Sequence, residues 1–268
     1  MRRLVVLGSV AGAPGVTTTA LAAAAAWPPD ADGGVRPVVV EGDPSGGDVM
    51  MRFGLPTTPS LLDVAAVAGQ SYPGSVLAAV HELPFGVRVV PGVPGRGPCR
   101  EAVRLLAGGI GVLRGSERDR DTVLLDVGRL TDDVEPLLSV ADRVVLVTRG
   151  GAEALAHVPA CGLDAAVGGR LVLVVVGPCP YPAQEIASTL GVERVLFLPW
   201  DARCVAAMSG PRSAAVRTDG FRPPRLMTAA RLLARQVAGP APEDEETGTP
   251  HAGAGGLVSV ARVEEDGA

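Results

Sequence analysis

Short apolar runs punctuate the chain at Arg3–Leu7, Pro37–Glu41, Val87–Val90, Thr122–Asp126, Arg143–Thr148, Leu171–Val176 and Arg194–Leu198. They are near-continuous rather than alternating, which is how strands buried on both faces of a parallel sheet read. Between them lie Ala- and Leu-rich stretches of helical length at Thr17–Trp27, Ser60–Ala68, Arg100–Leu113, Ala152–Ala166 and Ala183–Leu190. This alternation predicts an α/β fold: a doubly wound, mainly parallel sheet of about seven strands with helices on both faces. A last helix is expected over Pro224–Val237, where Leu226, Ala230, Leu233 and Val237 form one packing stripe and Arg231 and Arg235 fall opposite it. After Gly239 the pattern stops. Residues 1–239 are therefore read as one domain, and 240–268, acidic and rich in Pro and Gly, as a disordered tail.

Composition sharpens this picture in two places. Hydrophobic residues make up 47% of the 268 residues but aromatics only 3%, so the core must be built from Val, Leu and Ala. All 24 basic residues are arginine; the chain has no lysine and no asparagine. No lysine is thus on hand for catalysis or for binding phosphate. The net charge of −5 disfavours a protein that coats nucleic acid generally, while leaving local basic patches open. Cys99, Cys161, Cys179 and Cys204 form no C-x-x-C pair, so neither zinc nor a disulfide framework is expected, and free thiols suit a reducing cytoplasm. No apolar run approaches the roughly 18 residues of a membrane span. The closing "VEEDGA" would be repelled by an anionic surface, so no membrane insertion is expected.

Ligands of doubly wound sheets bind at the carboxyl ends of the strands. After the first strand comes "SVAGAPGVTTTA". Gly12 and Gly15 permit a tight backbone path that aims N–H groups at an anion, and the N–H groups of Thr17 and Thr18 open a helix whose positive end favours phosphate. The Thr17 hydroxyl is placed either to bind Mg²⁺ or to cap the helix. After the second strand comes "VVVEGDPSGGD", where Glu41 and Asp43 both can face the loop. A carboxylate there holds a metal-bound water or orients a nucleophile, or else forms an Asp-Pro turn. "TVLLDVGRL" ends an apolar strand in a carboxylate, Asp126, suited to a magnesium site.

Together with the late segment "LPWDARCVAAMSGPR", these pieces resemble, in order and in strand spacing, the ParA/MinD family of P-loop ATPases with a deviant Walker A loop. The resemblance runs from about Arg3 to Val237. It implies a nucleotide site of Gly12, Gly15, Val16, Thr17 and Thr18, metal ligation through Thr17, Asp43 and Asp126, a catalytic role for Asp43, and ATP with Mg²⁺ as cofactors. The departures are equally specific. The family loop reads K-G-G-x-G-K-T-T, and its two lysines fall at Ala11 and Val16. Glu41 replaces the first Asp of the family's D-x-D-P-Q-G segment, and the family's adenine-reading Asn falls near Gly177. Losing both lysines removes the main charge stabilisation of phosphoryl transfer. Arg129 and Arg149 are candidates to replace that charge by position.

The short "DVGR" is similar to the D-x-x-R form of the divergent TadZ/CpaE-like members, which localise pilus and secretion machinery. On that resemblance the expected function is positioning or scaffolding with a degenerate site, for pilus or secretion machinery or for septum or chromosome organisation. Its partners would be a secretion or pilus ATPase or a partition partner, with a homodimer possible. The alternative is a weak Mg-ATP switch ATPase in partitioning, with weak, non-specific DNA contact through Arg222, Arg225, Arg231 and Arg235; the bland reading of those arginines is a solvated helix face.

Overall fold

The computed structural model describes residues 1–12, 14–70, 75–163, 167–210 and 223–238. Eight strands form one sheet in the order β3-β4-β2-β5-β1-β6-β7-β8. The strands are β1 (Arg3–Ser9), β2 (Val38–Glu41), β3 (His81–Glu82), β4 (Arg88–Val90), β5 (Thr122–Arg129), β6 (Arg143–Arg149), β7 (Leu171–Val176) and β8 (Arg194–Leu198). All neighbours pair in parallel except β3, which lies antiparallel against β4 at the edge. The expected strands all form, and β3 is the addition.

Side-chain parity makes the fold doubly wound. Val5, Leu7, Val39, Leu124, Val145 and Val147 point into one apolar layer, covered by α1 (Val16–Ala25) and the helix Arg225–Ala238. Leu4, Val6, Val38, Val40, Leu125 and Leu146 point into the other, which contains residues of α3 (Leu61–Ala68), α4 (Arg96–Gly108) and α7 (Ala152–Ala160). The alanine run of α1 is buried along its length, because only small side chains let it lie close to both the sheet and the last helix. That last helix buries Leu226, Ala230, Leu233 and Val237, the stripe expected from its spacing.

Two helices depart from expectation. The segment expected as Arg100–Leu113 starts earlier, at Arg96, and breaks at Gly109 into α4 and the short α5 (Gly111–Arg114). A Cβ at Gly109 would run into the Ala68 carbonyl oxygen, so the close approach of α3 requires glycine there. The helix expected to reach Ala166 ends at Ala160, while residues 164–166 lie outside the described residues. Three short helices among the described residues, α2 (Val49–Phe53), α6 (Glu135–Ser139) and the segment Ala202–Ala207, were not expected. The predicted tail 240–268 lies outside the described residues, as does Arg222.

Candidate functional site

The carboxyl ends of β1, β2 and β5 lie side by side, with Glu41 and Leu7 both in register with Asp126. The loop after β1 turns through Gly12 and Gly15, at φ 67° and 96°, conformations that L side chains rarely adopt. Gly15 caps α1, and both the backbone N–H and the hydroxyl of Thr19 donate to its carbonyl. Thr17 therefore does not cap the helix. Its hydroxyl sits beside the Asp126 carboxyl and helps hold it ionised.

Asp126 shares the parity of Leu124, so its side chain faces α1, and it is only 1% exposed. Oδ1 accepts from the Gly128 N–H at 3.0 Å, while Oδ2 lacks a well-formed hydrogen bond. Burial pushes its pKa up to about 7, and the negative charges of Glu41 and Asp43 push the same way. Asp43 accepts from the Ser45 N–H at 2.7 Å, and burial raises its pKa too. Its carboxylate packs on Gly128, at φ 60°, where a Cβ would collide with it.

Glu41 corrects an expectation. Its carboxylate does not serve the loop as a free acid: it is 3% exposed and accepts backbone N–H groups from Asp48, Val49 and Gly92. Residues Gly47 and Gly92, which spacing did not single out, make this possible by their lack of side chains. The visible signal was only the glycines of "PSGGD" and "VPGVPG".

Val16, at the first turn of α1, is 6% exposed and belongs to the apolar layer beneath the last helix. Its methyls complete the core and present nothing to an anion. Of the two arginines considered as replacements, Arg129 donates from Nε to the Val10 carbonyl at 3.3 Å, which brings a guanidinium to the edge of the loop. Arg149, at the end of β6, stacks on the exposed Trp200 ring with 5.6 Å to the centroid. Gly177, at φ 85°, donates its N–H to the Leu198 carbonyl.

The arrangement offers backbone N–H groups to an anion and, between Thr17 and Asp126, a hydroxyl and an orphan carboxylate oxygen suited to a hydrated divalent cation. Among the described residues, no group of three His, Cys, Asp or Glu side chains is set to hold a metal unaided. The donor set thus fits the magnesium of a magnesium–nucleotide pair and the backbone half of a phosphate cradle. Positions 11 and 16, an alanine and a valine, add no cation to it.

No protein-family model matches the chain, and no curated protein does. Solved structures do. The septum site-determining protein MinD of Pyrococcus horikoshii, in complex with Mg-ADP, superposes with a TM-score of 0.66 at 20% identity, covering 88% of this chain and 96% of that one. This chain has the MinD fold. A ParA-family ATPase from Chlorobium tepidum superposes with a TM-score of 0.65 at 16% identity over 87% of this chain and 98% of its own. MinD from the MinC:MinD cell-division complex of Aquifex aeolicus gives 0.64 at 15% over 93% and 98%. The α/β sheet and its flanking helices therefore agree with the sequence-based expectation.

Proposed function

We propose that this chain is a ParA/MinD-like positioning or scaffolding protein whose nucleotide site is degenerate. It serves the localisation of pilus or secretion machinery, or the organisation of septum or chromosome. One observation carries the reading: where phosphoryl transfer needs lysine, Val16 is an apolar residue built into the core and Ala11 a methyl. The intact strand ends explain why the fold survives without the charges. Asp126, Asp43 and Thr17 are held by contacts within the chain. Partners of this reading are proteins: a secretion or pilus ATPase, a partition partner, or a second copy of the chain. MinD of Aquifex aeolicus assembles with MinC on the same fold. A cytoplasmic location suits the free cysteines, and no described helix is long and apolar enough to cross a membrane.

The test is turnover. Each lost charge donor of this kind typically costs roughly 10²–10³ in rate. Phosphate release from Mg-ATP is therefore expected to be at background, measured beside a lysine-bearing MinD. Hydrolysis at an ordinary MinD rate removes the reading.

A weak switch ATPase acting in partitioning, with DNA contact, is the second reading, and two observations favour it. Arg129 lies at the edge of the loop. Arg225 and Arg235 are exposed on a helix, Arg225–Ala238, that contains no acidic residue. Under this reading, substituting Arg225 and Arg235 together by Ala lowers the slope of log affinity against log salt by about 2 in a DNA-binding titration. An unchanged slope eliminates contact through this face.

A further inference from the structure

The loop between β2 and α2 carries Asp43. In this chain it is already fixed. Glu41 Oε1 accepts the N–H of Asp48 at 2.8 Å and of Val49 at 3.1 Å, while Oε2 accepts the N–H of Gly92 at 2.9 Å. The first two are orphan donors at the start of α2, and the third belongs to the loop between β4 and α4. The Gly47 N–H adds a bond to the Val93 carbonyl at 2.9 Å. The two loops touch backbone to backbone: a Cβ at Gly47 would lie 2.6 Å from both the Gly92 Cα and Glu41 Oε2. A single buried carboxylate thus ties the end of β2, the start of α2 and the end of β4 together.

We infer that Glu41 is a positioning residue that clamps the Asp43 loop in one conformation without nucleotide. The clamp deepens the degenerate-site reading and rests on it, since bonds from within the chain hold the loop with no nucleotide in place. Side-chain length is the reason for glutamate. An aspartate, one methylene shorter, cannot reach the N–H groups of α2 and of Gly92 together from the strand end.

Amide hydrogen exchange by NMR on the full chain, without nucleotide, tests the clamp. In Glu41→Asp the amides of Asp48, Val49 and Gly92 are expected to exchange roughly 10- to 100-fold faster, the loss of one or two charge-assisted bonds, with β1 and β5 unchanged. Glu41→Gln keeps one carbonyl oxygen as acceptor and is expected to give a smaller increase, and it carries the test if the aspartate variant does not fold. Unchanged protection of all three amides in the folded variants overturns the clamp. Adding Mg-ATP to the wild type is expected to leave these amides unchanged; added protection there also overturns it. Mg-ATP hydrolysis at an ordinary MinD rate with the loop amides unmoved would refute the degenerate site while leaving the clamp standing.

Discussion

The Asp126→Asn variant is expected to be more stable than the wild type at pH 8, by up to about 4 kcal/mol, with the advantage vanishing near pH 4. Asp126 is 1% exposed, and burial raises its pKa to about 7 against an ordinary value of 3.8. Between those values the folded protein holds a proton that the unfolded chain has released. Stability therefore falls as pH rises from about 4 to about 7, and the full cost, roughly three pKa units at about 1.4 kcal/mol each, is present above pH 7. Below pH 4 both states are protonated and the cost is gone. Asparagine keeps the acceptor for the Gly128 N–H and carries no charge to bury. Urea unfolding at pH 4, 5, 6, 7 and 8 reads the difference; a pH-independent gap, or a variant weaker at pH 8, contradicts the assignment. Magnesium adds a control. If the ion engages Thr17 and Asp126 it favours the ionised carboxylate, so it should stabilise the wild type at pH 8 and leave the variant unchanged.

Why does the protein retain such a costly carboxylate? Glu41 lies in register with it on the adjoining strand, and Asp43 is near enough for its charge to matter. Three acids thus meet at the strand ends with no lysine among them. Each lowers the strain differently. Glu41 spreads its charge over three backbone N–H groups, Asp43 takes the Ser45 N–H, and Asp126 has the Gly128 N–H, the Thr17 hydroxyl beside it and an oxygen with no well-formed bond. The least satisfied of them is the one against α1. Under the proposed reading, that unsatisfied oxygen is where a hydrated divalent cation would gain most.

Much of this was legible in the chain because burial on two faces writes a strand as an unbroken apolar run, so β1, β2 and β4 to β8 could be read directly. His81–Glu82 could not: two polar residues at an edge have no period to detect. The break at Gly109 was marked by the "AGGIG" glycines, but its cause, the carbonyl of Ala68, is set by packing of α3 on α4. At the candidate site, Thr17 and Asp126 could be singled out because one opens the helix after β1 and the other lies toward the carboxyl end of β5. The work of Glu41 was not, since Gly92 lies 51 residues further along the chain and only the fold brings them together. Likewise, that Arg149 would stack on Trp200 while Arg129 reached the loop depends on where β6, β8 and β5 end.

A lysine at position 16 is expected to weaken the ligand-free protein and to strengthen its response to nucleotide. Val16→Lys is expected to destabilise the ligand-free protein by about 1–3 kcal/mol. It exchanges a well-packed apolar side chain for an ammonium at the positive end of a helix. A phosphate in the loop would reverse that balance, because the same ammonium then pairs with it over the N–H groups of Thr17 and Thr18. Mg-ATP should therefore raise the melting temperature of the variant and not of the wild type. At a nucleotide concentration of about 100 Kd the gain is about 2.7 kcal/mol. Thermal unfolding with and without millimolar Mg-ATP, on both proteins, measures it. An equal shift in the wild type would show that backbone donors, Arg129 and the Thr17–Asp126 pair already suffice to bind nucleotide, and the missing lysines would then matter for turnover alone. No shift in either protein would mean that the loop between Ser9 and Val16 no longer admits a phosphate even when the charge is supplied, which places the loss in the backbone path and not in the side chain.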